Sequence, residues 1–236
     1  MRVIAGEARG HPLAAPLTIR TRPTTDKVKG AVFSMIETLL AAERPAGLIG
    51  TDVPTVGEPA LWEGLTVLDL YAGTGALGIE ALSRGAAWCD FVDSDARARI
   101  TIERNLKTTA LESRARVIGV GVRKVIGGGI EPLLHAPYGL VLMDPPYADP
   151  DVDQIVLALA GGLLLHSGAL VAVEHSHRVT LSSHFRLDSE ANATGSTGLT
   201  EVRRRRHGDT EVSIYRWQRT WEQEEGDHGH HRDLSR

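Results

Sequence analysis

Thr66-Val67-Leu68-Asp69-Leu70-Tyr71-Ala72-Gly73-Thr74-Gly75-Ala76-Leu77-Gly78 is the stretch from which the fold is read. A short strand-like segment at 66–70 runs into Gly73, Gly75 and Gly78, spaced as G-x-G-x-x-G, and then into a helical pattern at 76–83. Glycine lets the chain turn tightly between strand and helix, and lets backbone approach a ligand with no Cβ in the way. A strand, a glycine turn and a helix in that order open a parallel α/β sheet. By itself the spacing does not separate one nucleoside cofactor from another.

Downstream the alternation continues. Strand signals at 88–92, 115–120, 140–143 and 169–174 are interleaved with helical patterns at 96–108 and 151–164. That alternation implies a parallel sheet with helices on both faces. The segments 200–206 and 210–217 flank His207-Gly208-Asp209 and read as a hairpin. Upstream, residues 1–20 alternate apolar and polar positions around Gly6, Gly10, Pro12 and Pro16, which predicts short strands or a hairpin. Val28, Ala31, Val32, Met35, Ile36, Leu39 and Leu40 then mark the buried face of a helix, with a threonine cap and Asp26 in its first turn. The expected division is an N-terminal hairpin and helix extension at 1–42, an insertion loop rich in Pro and Gly at 43–64, an α/β domain at 65–217 and a disordered tail at 218–236. His228, His230 and His231 lie in that tail, which reads as disordered rather than as a metal site.

Composition narrows the class. The chain has 236 residues, 42% of them hydrophobic, enough for a substantial core. Its formal charge of −4 is not that of a bulk polyanion binder, yet residues 1–30 carry a local net charge of +4. The single cysteine, Cys89, sits in an apolar run and reads as a buried thiol. The longest apolar stretch, 155–165, is too short to span a bilayer. A soluble, cytoplasmic, monomeric protein is expected, with no membrane contact.

Two features select a cofactor. Asp93 lies twenty residues beyond Gly73, at the end of the next strand, where a carboxylate can accept both ribose hydroxyls; the alternative is a strand-end turn residue. Asp95 competes for that role or caps the following helix. Asp69, at the tip of the first strand, would crowd a pyrophosphate but suits the ammonium of a methionine moiety, directly or through water. S-adenosyl-L-methionine is therefore favoured over NAD, with Asp69, Tyr71, Gly73, Gly75, Gly78, Asp93 and Ser94 as candidate binding residues.

Asp144-Pro145-Pro146-Tyr147 follows the fourth strand. Ligands of an open parallel sheet bind beyond the carboxyl ends of its strands, so this segment should face the glycine loop. Two prolines fix φ and remove two N–H donors, leaving a rigid turn rich in acceptors. The Asp144 carboxylate and Pro145 carbonyl can each take one proton of a ring-attached –NH2, Pro146 stiffens the turn, and Tyr147 can stack on a base. Methyl transfer to that nitrogen would need positioning and fixed acceptors rather than a strong base.

These segments resemble the bacterial 16S ribosomal RNA guanine-N2 methyltransferase family (RsmD). Arg22-Pro23-Thr24-Thr25-Asp26-Lys27-Val28-Lys29 is similar to that family's N-terminal signature, and the run from Gly73 through Ala86 to its cofactor loop and helix. Asn105-Leu106, the Asp-Pro-Pro-Tyr turn and Gly208-Asp209-Thr210 match as well, so the resemblance spans about 1–42 and 65–217. It implies a Rossmann-like class I methyltransferase fold, seven-stranded and mostly parallel with an antiparallel C-terminal hairpin. It also implies guanine N2 methylation in 16S rRNA of the small ribosomal subunit, with S-adenosyl-L-methionine as donor. The departures are Gly30 where the family has Glu, Asp93 where it has Glu, His207 where an aromatic is common, and a 119–123 segment without an adenine-contacting acid or amide. Val122 is the candidate to pack on adenine instead.

Arg20, Arg22, Lys27 and Lys29 cluster around the start of the N-terminal helix and read as phosphate contacts to RNA. Arg203-Arg204-Arg205-Arg206 has two readings, RNA contact or protection of an edge strand. His175 and His177 read as surface residues. The competing functions are an adenine-N6 DNA or RNA methyltransferase, a non-catalytic RNA-binding assembly factor, and an NAD oxidoreductase, which would leave the Asp-Pro-Pro-Tyr turn unexplained.

Overall fold

Strand β1 (Thr66–Leu70) runs through the middle of the parallel part of one sheet, and four of its five residues are buried, as expected where both faces are covered. In the computed structural model, residues 1–15, 25–42, 59–129, 133–146, 149–161, 164–188 and 195–221 are described. Their strands are β1, β2 (Trp88–Val92), β3 (Ala115–Ile118), β4 (Tyr138–Met143), β5 (Leu165–Ser176), β6 (His184–Asp188), β7 (Gly195–His207) and β8 (Thr210–Trp221). They form one sheet in the order β3-β2-β1-β4-β5-β8-β7-β6. The first five are parallel and the last three antiparallel. The Rossmann-like expectation holds, with eight strands rather than seven. The additional strand is β6, whose only apolar residues, Phe185 and Leu187, gave a weak pattern.

Helices α1 (Asp26–Ala42), α2 (Ala76–Arg84) and α3 (Ala96–Thr109) cover one face, and α4 (Val122–Ile126) and α5 (Val152–Ala160) the other. The first core gathers Val32, Phe33, Ile36, Ile79, Leu82 and Ile102 over Val67, Leu142 and Ile214. The second gathers Val125, Ile155, Val156 and Leu159 over Leu68, Val141 and Tyr215.

The N-terminal segment pairs as a short hairpin, as expected: Arg2 bridges Pro12 in antiparallel sense, the Val3 N–H donates to the His11 carbonyl and the Leu13 N–H to the Met1 carbonyl, both at 3.0 Å. Two other expectations change. The end of the supposed insertion loop belongs to the core: Trp62 is fully buried, packs against Phe33 and donates from Nε1 to Glu37 at 3.1 Å. Residues 43–58 lie outside the described set. The final strand runs to Trp221, past the boundary set at 217, so part of the supposed tail is sheet; the histidines beyond it are outside the described residues.

Candidate functional site

The site begins with register. β1 pairs with β4 as Asp69↔Leu142 and Leu70↔Met143, so Tyr71 and Asp144 leave the sheet side by side at the same end. The glycine turn and the proline turn are therefore neighbours. Had they left opposite ends, no shared reaction centre would exist.

The glycine loop is held by its own surroundings. Gly73 and Gly75 take left-handed φ values of 56° and 76°. Tyr71 does so too, at 59°, an uncommon conformation for a non-glycine residue. The Gly73 N–H donates to Asp93 Oδ2 at 2.8 Å, and Asp93 Oδ1 accepts the Asp95 N–H at 2.8 Å. Asp93 is half-buried, and each oxygen keeps a lone pair with which to accept a ribose hydroxyl. Asp95 caps α3, accepting the Arg97 N–H at 2.7 Å, which decides between its two readings. Ser94 is exposed beside them, its carbonyl accepting from Arg99 at 2.8 Å. A Cβ on Gly73 would meet only the Tyr71 carbonyl, 3.8 Å away, so the space above that residue is open. An open cradle beside a carboxylate fits a nucleoside with a methionine arm.

Gly78 and Asp69 act differently from expectation. A Cβ on Gly78 would fall 2.4 Å from the Phe91 ring and 2.7 Å from Cys89 Sγ, so this glycine lets α2 lie close on β2 instead of facing a ligand. Its N–H donates to Asp69 Oδ2 at 2.9 Å. Asp69 is only 1% exposed, so its carboxylate braces the loop from below and offers no open face for direct contact with an ammonium group. Burial pushes its pKa up to about 8 against the Gly78 bond, and Asp144 and Asp93 nearby raise it further.

On the proline side, Asp144 is half-buried, Pro145 buried and Pro146 exposed. The Pro146 carbonyl accepts the Asp149 N–H at 2.8 Å, whereas the Pro145 carbonyl accepts nothing from the described residues. An acceptor held in that way suits an incoming –NH2. Tyr71, expected at the cofactor, instead donates its hydroxyl to Asp149 Oδ2 at 2.9 Å, and burial and that carboxylate raise its phenol pKa. It clasps the tip of β1 to the chain beyond the proline turn. Asp149 Oδ1 accepts the Asp151 N–H at 3.0 Å, and Asp151 pairs with Arg123 of α4. Tyr147 is outside the described residues.

The basic candidates divide. Lys27 is exposed in the first turn of α1, and Arg20 and Arg22 lie outside the described residues. Lys29 is fully buried, donates to the Arg2 carbonyl at 2.7 Å and sits 3.1 Å from Glu80, so it cannot reach a phosphate. Glu80 also accepts the N–H groups of Ile4 and Ala5 and pairs with Arg84, which reaches Glu37 of α1. Lys29 therefore fastens α1 to α2.

His175 is also buried, not at the surface, with Nε2 3.0 Å from Ser213 Oγ. Val122, the first residue of α4, is buried in the second core.

Sequence reasoning gave no role to Asn105. Its amide donates to the carbonyls of Ala14 and Thr74, at 3.1 and 2.9 Å, and its Oδ1 accepts the Ala14 N–H at 2.8 Å. One side chain thus ties the glycine loop to the N-terminal segment. The family motif was visible at that position, but the partners are far away in sequence.

Residues 1–216 match the family described as Conserved hypothetical protein 95. The chain is 31% identical over 216 residues to the Bacillus subtilis "Putative rRNA methyltransferase YlbH", covering 92% of this chain and 98% of that protein. It is 27% identical over 174 residues to the Escherichia coli "Ribosomal RNA small subunit methyltransferase D", covering 74% of each. Among solved structures, "Putative methyltransferase yhhF from Escherichia coli" superposes with a TM-score of 0.66 at 24% identity, over 92% of this chain and 98% of that one, a likeness of fold.

Proposed function

Because this chain belongs to the Conserved hypothetical protein 95 family, the RsmD family, we propose that it transfers a methyl group from S-adenosyl-L-methionine to the exocyclic N2 of a guanine in 16S rRNA of the small ribosomal subunit. The observation that carries the reading is the juxtaposition of two turns at the tips of β1 and β4, one a cofactor cradle and the other an amine acceptor.

S-adenosyl-L-methionine supplies an electrophilic methyl on a sulfonium. Asp93 would hold the ribose hydroxyls and the Gly73–Gly75 turn would cradle the methionine arm. Asp144 and the Pro145 carbonyl each accept one N–H of the guanine amine, which aims its nitrogen at the methyl carbon. An amine nitrogen that takes up the methyl becomes acidic, and Asp144 would receive its proton along the hydrogen bond between them. Pro146 keeps the turn rigid and Tyr147 stacks on the base. Lys27, with Arg20 and Arg22, contacts phosphates.

The test is incubation with labelled S-adenosyl-L-methionine and small-subunit particles lacking the modification, naked 16S rRNA, or duplex DNA. The expected outcome is label in guanine of the particle RNA, with kcat lowered by at least about 100-fold in Asp144→Ala. Label in adenine, or cofactor binding with no transfer to any of the three, would overturn the reading.

A further inference from the structure

The run Arg203-Arg204-Arg205-Arg206 lies on β7, and its pairing with β8 sorts it into two unequal halves. The partners are Arg203↔Ile214, Arg204↔Ser213, Arg205↔Val212 and Arg206↔Glu211. Directly opposed residues share a face of the sheet. Ile214 and Val212 belong to the core beneath α1 and α2, so Arg203 and Arg205 stand on the α1 face and the other two on the α5 face.

On the α5 side both arginines are engaged within the protein, Arg204 by carboxylates and Arg206 by a carbonyl. Arg204 pairs with Glu201, donates to the Leu181 carbonyl at 2.9 Å and lies 3.8 Å from Glu211; Arg206 donates to the Gly208 carbonyl at 2.8 Å. Arg203 and Arg205 are exposed, and neither has a hydrogen bond or ion pair among the described residues. Protection of an open strand edge accounts for some charge here, because pairing with β6 ends at Thr200. It does not account for two cations left without acidic partners on the face that carries α1.

Their place on the sheet matters. Arg205 is opposite Val212, which is opposite Glu174 of β5. Val212, Glu174, Met143, Leu77 and Val32 surround one small cavity, and Asp144 follows Met143 directly. The arginine row thus reaches the end of the sheet where the amine site opens, on the face whose helix carries Lys27. Two residues apart on a strand, the side chains stand about 6.6 Å apart and can engage different phosphates.

We propose that Arg203 and Arg205 form a phosphate-contacting surface for the RNA strand that carries the target base. This rests on the reading of the substrate as RNA. The surface positions the strand and does not read its sequence.

The test compares wild type, Arg203→Ala/Arg205→Ala, Arg203→Lys/Arg205→Lys and a charge-matched control on α3, Arg104→Ala/Lys107→Ala. Binding of naked 16S rRNA is titrated against salt, and methyl transfer to small-subunit particles is measured in parallel. The alanine pair should lower the salt slope by about two and raise KM about tenfold with kcat within about twofold, while the lysine pair retains the slope. The control should behave as wild type. Thermal melting checks the fold, and Arg205→Glu alone provides a second variant, expected to weaken RNA binding further than Arg205→Ala. An unchanged slope and KM in the alanine pair, an equal loss in the control, or no RNA binding by wild type overturns the surface. Arginine-dependent RNA binding without methyl transfer would overturn the catalytic reading and leave the surface standing.

Discussion

Asp69 shows how a residue can be recognised in sequence and still be given the wrong partner. Its position at the tip of β1 was legible, because a carboxylate before a glycine loop is a local pattern. Its bond to the Gly78 N–H and its 1% exposure depend on how closely α2 lies on β2, which rests on packing against Phe91 and Cys89. The consequence is a pH dependence. With a pKa raised from 3.8 to about 8, the folded protein keeps a proton that the unfolded chain releases. This group's contribution is complete below about pH 4 and is lost as pH rises through about 8. Asp69→Asn is neutral at every pH and still accepts from Gly78. It should therefore be more stable than wild type at pH 8.5, by at least about 1 kcal/mol, with the difference closing towards pH 4. Urea melts at both pH values measure it. Equal destabilisation of the variant at both would show that the charged carboxylate is what the fold needs.

At the scale of elements, α1 and α2 are joined by alternating charges: Lys29 to Glu80, Glu80 to Arg84, Arg84 to Glu37. All four side chains are buried, and Phe33 lies under the Arg84 guanidinium at 4.9 Å. The α1 helix itself was readable from its apolar spacing and its Thr25 cap, which accepts the Val28 N–H at 3.3 Å. The burial of Lys29 was not readable, because a lysine beside Lys27 and Arg22 looks like surface until Glu80 is brought over it by the fold. Removing one partner of a buried pair leaves the other charge uncompensated. Lys29→Ala should cost about 3 kcal/mol and lower Tm by about 10 °C. Lys27→Ala should leave Tm unchanged and weaken RNA binding instead. Calorimetry and filter binding separate the two, and a Lys29→Ala protein that melts like wild type but binds RNA poorly would reverse these assignments.

Across the whole molecule, the parallel half of the sheet was the legible part, because each strand and helix announces itself within a few residues. The antiparallel edge was less so, since β6 depends on β7 for its identity. The N-terminal segment was the least legible, because its partners come from three other elements. Val3, Ala8 and Leu13 are core residues. Ser83 Oγ accepts the Ala8 N–H at 3.0 Å and donates to the Ala5 carbonyl at 2.6 Å, and Glu7 pairs with Arg114. A Cβ on Gly6 would lie 1.7 Å from the Ser83 carbonyl oxygen, so backbone packs directly on the end of α2 there. Asn105 then links this segment to the glycine loop. An extension held in this way is part of the domain, not a module attached to it. Deleting residues 1–15 would expose apolar core, free Lys29 of its carbonyl partner and leave the Thr74 turn held from one side fewer. The truncated chain should lose its cooperative melting transition or melt at least about 10 °C lower, with S-adenosyl-L-methionine binding weakened alongside RNA binding. If the truncated protein melts within about 3 °C of the full chain and binds the cofactor equally well, the extension serves RNA alone and the integration argued from Glu80, Ser83 and Asn105 is wrong.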